Sequence, residues 1–232
     1  MTEQLLDFAQ GPLFRLTFVV MLAGLGRRLF LILWSSGSAL IRSHNKNLKI
    51  KAIASNIVEW LFPFSHVGKS RRFFSTVSYI FHIGVILVPV LLAEHITLWR
   101  QGIHLGWPAL PGLAADILTW TTILTGIGLL ITRVSYRPAR LFSSAGDYLI
   151  TILVIVPFLT GYMAQSGWTP FSYNMMMLIH ILSAEIIFVL IPFSKLAHCF
   201  LFPFTRLATE VGSKFAIDIP ETYPYSAEGS EL

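Results

Sequence analysis

The sequence predicts an all-α integral membrane protein, a five-transmembrane-helix bundle with its N-terminus outside the cytoplasm and its C-terminus inside. Three observations predict this: the balance of apolar to charged residues, five apolar runs of spanning length, and the one-sided placement of lysine and arginine. Of 232 residues, 54% are hydrophobic and 12% charged. So few charges cannot cover a water-facing surface, which makes hydrocarbon the expected solvent.

The spans, each near the roughly 20 residues that cross about 30 Å of hydrocarbon, fall at Leu13–Trp34, Phe74–Leu98, Leu113–Thr132, Tyr148–Ala164 and Met175–Phe200. They form one membrane domain, residues 1–212, followed by an extended cytoplasmic tail, 213–232. Orientation comes from the basic residues, which are retained on the cytoplasmic side. Nine lie from the inner end of the first span to the start of the second (Arg27, Arg28, Arg42, Lys46, Lys49, Lys51, Lys69, Arg71, Arg72), three between the third and fourth (Arg133, Arg137, Arg140) and three late in the chain (Lys195, Arg206, Lys214). Arg15 and Arg100 alone fall on the other side. The net charge of +5 is therefore a topology signal and points away from nucleic acid. Glu3 and Asp7 stand where a cleaved signal peptide carries positive charge, so the first span is expected to be an anchor.

The inner loop, 35–72, contains the amphipathic stretch Leu48–Phe64. It reads as a helix on the inner leaflet and equally as a docking surface for a cytoplasmic partner subunit. The outer loop Trp99–Gly112 is rich in tryptophan and proline, as interfacial connections are.

A single cysteine, Cys199, excludes a disulfide within the chain, an iron–sulfur cluster on its own thiolates and covalent haem. A bound metal would have to be held by histidine. Of seven histidines, four lie in predicted spans: His82 and His95 in the second, His180 and His198 in the fifth. Ionisable groups at that depth are costly unless paired or ligating. The two helices run in opposite directions, so His82 is level with His198 near the inner face and His95 with His180 near the outer. Two levels of facing imidazoles suit two bis-histidine haems b, each needing one neutral imidazole on either side of the iron. The 18 residues from His180 to His198 make five whole turns and share a face. The 13 from His82 to His95 leave a mismatch of roughly 140° on a straight helix, which a kink at Pro89 can reset. Gly84 and Gly128 leave room for a flat macrocycle or a second helix, packing being the commoner reason for such glycines.

Phe81-His82-Ile83-Gly84, Ala145-Gly146-Asp147-Tyr148-Leu149, and His180 with Pro192-Phe193-Ser194-Lys195-Leu196-Ala197-His198 resemble the di-haem cytochrome b (gamma) subunit of respiratory nitrate reductases over most of the chain. The resemblance implies that His82 and His198 ligate the inner haem and His180 the outer one. The family's second histidine on the second helix falls where this chain has Leu92, making His95 the nearest replacement. The family's quinone-site lysine is also missing; Ala114, Ala115 and Asp116 stand there. These departures suggest a relative, similar to the cytochromes b of transmembrane redox complexes in sulfate reducers (the high-molecular-weight cytochrome, type II cytochrome and sulfite-reduction-associated complexes) or of heterodisulfide reductases. The resemblance implies two non-covalent haems b, a quinone as substrate, a cytoplasmic iron–sulfur subunit of heterodisulfide-reductase or nitrate-reductase type as partner, and further membrane or periplasmic cytochromes, in the inner membrane of a prokaryote.

A quinol releases protons with its electrons. Glu94, Arg100, His104 and Asp116, on the outer side, are candidates to receive them, although a solvated loop or propionate role explains each singly. Arg133, Arg137 and Arg140 are candidate partners of the inner haem's propionates, and topology explains them equally. Glu185 lies in mid-helix, where a carboxylate must be neutral or paired; a proton path and a structural hydrogen bond both remain open for it. His44 and His66 are read as solvated or interfacial. Two competing readings also stand: an electron conduit from a periplasmic cytochrome with no quinone site, and a haem-free scaffold or transporter whose buried histidines and Glu185 form a polar relay.

Overall fold

The structure is a computed structural model and describes residues 1–42, 54–55, 57–59 and 72–214. The expected amphipathic stretch, His44 and His66 lie outside these residues, apart from the helical residues 54–55 and 57–59, as does the tail beyond Lys214.

Helices account for nearly all of what is described, and no strand occurs among these residues. In chain order they are α1 (Thr2–Phe8), a π-helical turn (Ala9–Leu13), α2 (Phe14–Arg42), α3 (Arg72–Leu91), α4 (Ala93–Ile103), α5 (Gly112–Ser135), α6 (Arg137–Leu141), α7 (Ala145–Ser166), α8 (Tyr173–Phe193), a 3₁₀ turn (Lys195–Ala197) and α9 (His198–Lys214). Among the described residues, five helices are long and apolar enough to cross a membrane: Thr2–Ile41, Arg72–Leu91, Gly112–Ser135, Ala145–Ser166 and Tyr173–Phe193.

Three bounds differ from expectation. The first helix starts at Thr2 and not near Leu13, Gly11 and Pro12 being absorbed in a π turn. The second predicted span is two helices separated at Leu92, which is extended (φ −72°, ψ 132°). The fifth ends at Phe193, with Ser194 extended (φ −126°, ψ −172°), so the five-turn phase relation between His180 and His198 does not hold: no single helix carries both.

The chain divides into two compact units. The first joins Met1–Leu22 to Pro63–Leu196. Within it α3 packs on α5, α5 on α7, α7 on α8, and α8 on α1 and the π turn. Its centre is built from Phe81, Val88, Ile123, Leu129, Val154, Ile155 and Phe158. Gly84 sets the spacing of α3 and α5, since a β-carbon there would collide with Thr122 Oγ1. Gly126 does the same for α5 against Ile155 and Phe81; Gly128 makes only ordinary contact, with Val77. Outward faces are apolar as well: Leu124 is 62% exposed, and Ile131 and Ile186 are exposed too. Helices that are hydrophobic all round need a hydrophobic surrounding. The second unit joins Ala23–Phe62 to Ala197–Leu232. Among its described residues, Phe30 and Trp34 stack along α2 (ring centres 5.9 Å apart), and Ala197 and Leu201 are buried at the start of α9.

Threonine hydroxyls along these helices bond the carbonyl four residues back, as Thr119 to Ala115 (2.8 Å), Thr122 to Leu118 (2.7 Å) and Thr151 to Asp147 (2.8 Å). Such self-satisfaction is what apolar surroundings demand of a polar side chain.

Candidate metal-ligand pair at His95 and His180

The interruption at Leu92 determines where His95 points. In an unbroken helix the carbonyls of Pro89, Val90 and Leu91 would accept from the amides of residues 93 to 95; the extended residue removes those partners. Each carbonyl finds another. The His95 ring donates from Nδ1 to Pro89 O (3.0 Å), the Trp107 indole donates to Val90 O (2.8 Å), and the Leu110 amide donates to Leu91 O (2.9 Å). On either side the helical pattern persists, Leu92 N donating to Val88 O and Ile96 N to Leu92 O, both 3.0 Å. The loop after α4 thus folds back over the break and satisfies carbonyls that apolar surroundings would otherwise leave without partners.

His180 is fixed from a different helix. Its Nδ1 donates to Pro157 O on α7 (2.9 Å), and Gly161, one turn on, gives the ring space: a β-carbon there would lie 2.9 Å from His180 Cε1 and 3.0 Å from Nδ1. The two imidazoles are brought together with ring centres 6.1 Å apart and planes within 10° of parallel.

A carbonyl can only accept, so in both residues Nδ1 carries the hydrogen and Nε2 presents a lone pair. Metal-bound histidines are commonly oriented in this way, through the ring nitrogen that does not bind. A metal–imidazole bond of about 2 Å, with the ring centre about 1 Å beyond the nitrogen, places two rings on opposite sides of one ion about 6 Å apart. The separation of the ring centres matches this figure, and in both rings Nε2 is the nitrogen not engaged by a carbonyl. Among the helix packings described, α3 and α8 are linked through α5 and α7 and do not pack along each other.

His82, half-buried on α3, donates from Nδ1 to Ser78 O (2.7 Å), the same tautomer. His198 is the first residue of α9, exposed, with Nε2 3.8 Å from Cys199 Sγ. His82 belongs to the first unit and His198 to the second.

The outer-side proton candidates are not joined to one another. Glu94 is exposed in the first turn of α4 and Arg100 exposed in its last. Arg100 lies across Gly106, whose hypothetical β-carbon would meet its guanidinium at 2.9 Å. His104 ends α4 in the left-handed conformation (φ 58°), and Asp116 is half-buried near the start of α5. Among the described residues no hydrogen bond or ion pair links these four side chains. Of the arginines, Arg140 donates to Val134 O (3.0 Å), closing α6 onto the end of α5; Arg133 is half-buried at that end, its carbonyl accepting from Tyr148 (3.1 Å), and Arg137 is exposed. Asp147 accepts from Lys195 Nζ (2.6 Å) and forms a capping box with Ser144 at the start of α7.

Sequence reasoning missed Pro157, Gly161, Trp107 and Leu110. A glycine four residues after a proline in an apolar helix was the one available signal, and it has no meaning until α8 is laid beside it.

No family model matches the chain, and no solved structure matches it. A protein of Nitratidesulfovibrio vulgaris (strain Hildenborough), whose name states no function, is 27% identical over 215 residues, spanning 90% of this chain and 93% of its own length.

Proposed function

We propose that the chain is a membrane-anchor cytochrome b subunit. It passes electrons across the inner membrane of a prokaryote through two haems b, between a quinone pool (a menaquinone or similar carrier) near the outer face and a cytoplasmic iron–sulfur subunit. The observation that carries the reading is the His95–His180 pair: parallel imidazoles 6.1 Å apart, both held by Nδ1 so that Nε2 is available.

In this reading His95 and His180 hold the outer haem. Pro89 and Pro157 supply the carbonyls that set the tautomer, and Gly161 supplies clearance for the ring. When bound, the haem supplies one-electron chemistry at a potential tuned by burial and by hydrogen bonds to its ligands. The apolar helices keep water from the pair, and the loop bearing Trp107 locks α4 in place. For the inner haem, the depth of the histidines in their spans and the family resemblance both point to His82 and His198. Apolar outward faces support insertion in lipid, and the distribution of Lys and Arg supports the N-outside orientation.

The test is the dithionite-reduced minus oxidised spectrum and pyridine haemochrome of the purified chain, with haem counted per polypeptide. Two haems b are expected. A folded chain with none overturns the reading in favour of a haem-free scaffold or transporter.

A further inference from the structure

Six polar side chains are buried among the described residues: Thr17, Thr119, Thr122, Thr151, Thr160 and Glu185. The five threonines turn their hydroxyls to carbonyls of their own helices. Glu185 is 3% exposed, and neither of its oxygens has a hydrogen-bond partner. A carboxyl group in that condition can stay charged only at large cost, and its two oxygens forgo all the bonding that water would give them.

Its location argues for a use. Glu185 lies twelve residues beyond Tyr173, the first residue of α8, about 18 Å along the helix at 1.5 Å per residue. It follows His180 by five residues, about 7.5 Å in rise. It shares a face with Leu178, Ile181 and Phe188. Leu178 and Ile181 pack with Leu6 and Ala9, and Phe188 meets Phe14 and Phe18 edge-on at 5.8 and 6.1 Å. The carboxyl therefore falls on the stretch of α8 between those contacts, beside the π turn Ala9–Leu13, which packs on α8. That turn contains Pro12, which has no amide hydrogen, and Gly11, beside which a β-carbon would meet nothing within 4 Å. π turns of this kind recur at functional sites.

Charges on the surrounding elements do not explain the residue. α1 carries Glu3 and Asp7 and the start of α2 carries Arg15, all exposed; the π turn carries none. α4, whose Trp99 meets Phe18, carries Glu94, His95 and Arg100. α7, packed on α8, carries Asp147, bonded to Lys195 at the other end of α8, together with the phenols of Tyr148 and Tyr162. On α8 itself the titratable neighbours are Tyr173 and His180.

We propose that Glu185 is a proton-exchanging carboxyl group inside the membrane, reached from the outer aqueous face along the bulged start of the first helix, and that it binds a proton whenever the His95–His180 level holds an electron. The proposal rests on the function proposed above. One electron from the quinol-class donor lowers the charge of the metal centre by one. One proton from outer water then converts the Glu185 carboxylate to the acid, forming an O–H bond; oxidation reverses both changes. The outer-loop acids need not perform this role.

The experiment uses the full chain with its haem in lipid nanodiscs. The reduced-minus-oxidised infrared difference spectrum is expected to contain the carbonyl stretch of a protonated carboxylic acid, shifted in deuterated water, present in wild type and Glu94→Gln and lost in Glu185→Gln. Persistence of the band in Glu185→Gln, or its absence from wild type whose haem is fully reducible, overturns the proposal. A second measurement needs neither variant nor haem: dicyclohexylcarbodiimide, which modifies protonated carboxyls in apolar surroundings, is expected to label Glu185 and not Glu3, Asp7 or Glu94. Lack of an adduct at Glu185 overturns the proposal. An adduct at Glu185 in a folded chain that takes up no haem when haem is supplied upholds the proton site and overturns the link to the metal centre, which separates this failure from that of the function itself.

Discussion

Pro89 and Pro192 each precede an interruption in an apolar helix, at Leu92 and at Ser194, and a histidine follows each, His95 and His198. At Leu92 the hydrogen-bond ladder resumes at once, and the three displaced carbonyls are taken over by the His95 ring, Trp107 and Leu110. The break turns one side chain through a new angle while the chain continues. At Ser194 the helix stops. The serine hydroxyl accepts from the Leu196 amide (3.1 Å), Lys195 bonds Asp147, and a new helix starts at His198. The first interruption resets a phase and the second discards it. Proline thus marks that a helix will be disturbed, and the groups available to satisfy the freed carbonyls decide how.

On the function proposed above, the largest effect is expected at the pair that the reset brings together, His95 with His180. His180→Ala should lower the haem b content from two per chain to one by pyridine haemochrome, with the remaining haem still reducible; two haems in the folded variant would remove the pair from the ligand set. The reset also makes a positional claim. The family pattern puts a histidine at the place of Leu92, yet here that residue is the extended one. The double variant Leu92→His, His95→Leu should therefore retain one haem only. Recovery of the second would show that the break closes when a histidine is offered there.

A smaller effect is expected away from both interruptions, where α3 and α5 are closest. Gly84→Ala drives a β-carbon onto Thr122 Oγ1 and should destabilise the protein by about 1–3 kcal/mol, the usual cost of overpacking, read as a lower unfolding temperature in detergent. Thr122→Ala removes the hydroxyl but leaves its own β-carbon, 2.9 Å from the added methyl. The double variant should recover part of the loss, a non-additivity that a mere propensity effect would not give.

The sequence made the five apolar helices and the four candidate histidines legible because both depend on local quantities, run length and residue type at depth. The proline kink near Pro89 was legible too. Its resolution three residues later was not, because that depends on Trp107 and Leu110, which are distant in sequence and matter only as donors to orphaned carbonyls. The end of the fifth helix was hidden for a similar reason. Met175–Phe200 is continuously apolar apart from a few residues, so hydropathy cannot see an extended Ser194. The unconnected positions of Glu94, Arg100, His104 and Asp116 were also beyond reach, since grouping by loop says nothing about contact.

The smallest effects separate the two functions of Asp147 beside the second interruption. The Lys195 side chain is 70% exposed and that of Asp147 10%, and their bond links the turn after α8 to α7; a pair with one end open to water is worth about 1 kcal/mol. Asp147 also accepts from the Ser144 amide (2.8 Å) in the capping box that starts α7, and loss of such a cap costs roughly 0.5–2 kcal/mol. Asp147→Ala should thus lower the unfolding temperature more than Lys195→Ala, and the second substitution should add little once Asp147 is gone. Equal effects of the two single variants would mean that the ion pair, rather than the cap, holds the start of α7, and that the interruption at Ser194 depends on a tether to its neighbour as the one at Leu92 depends on its loop.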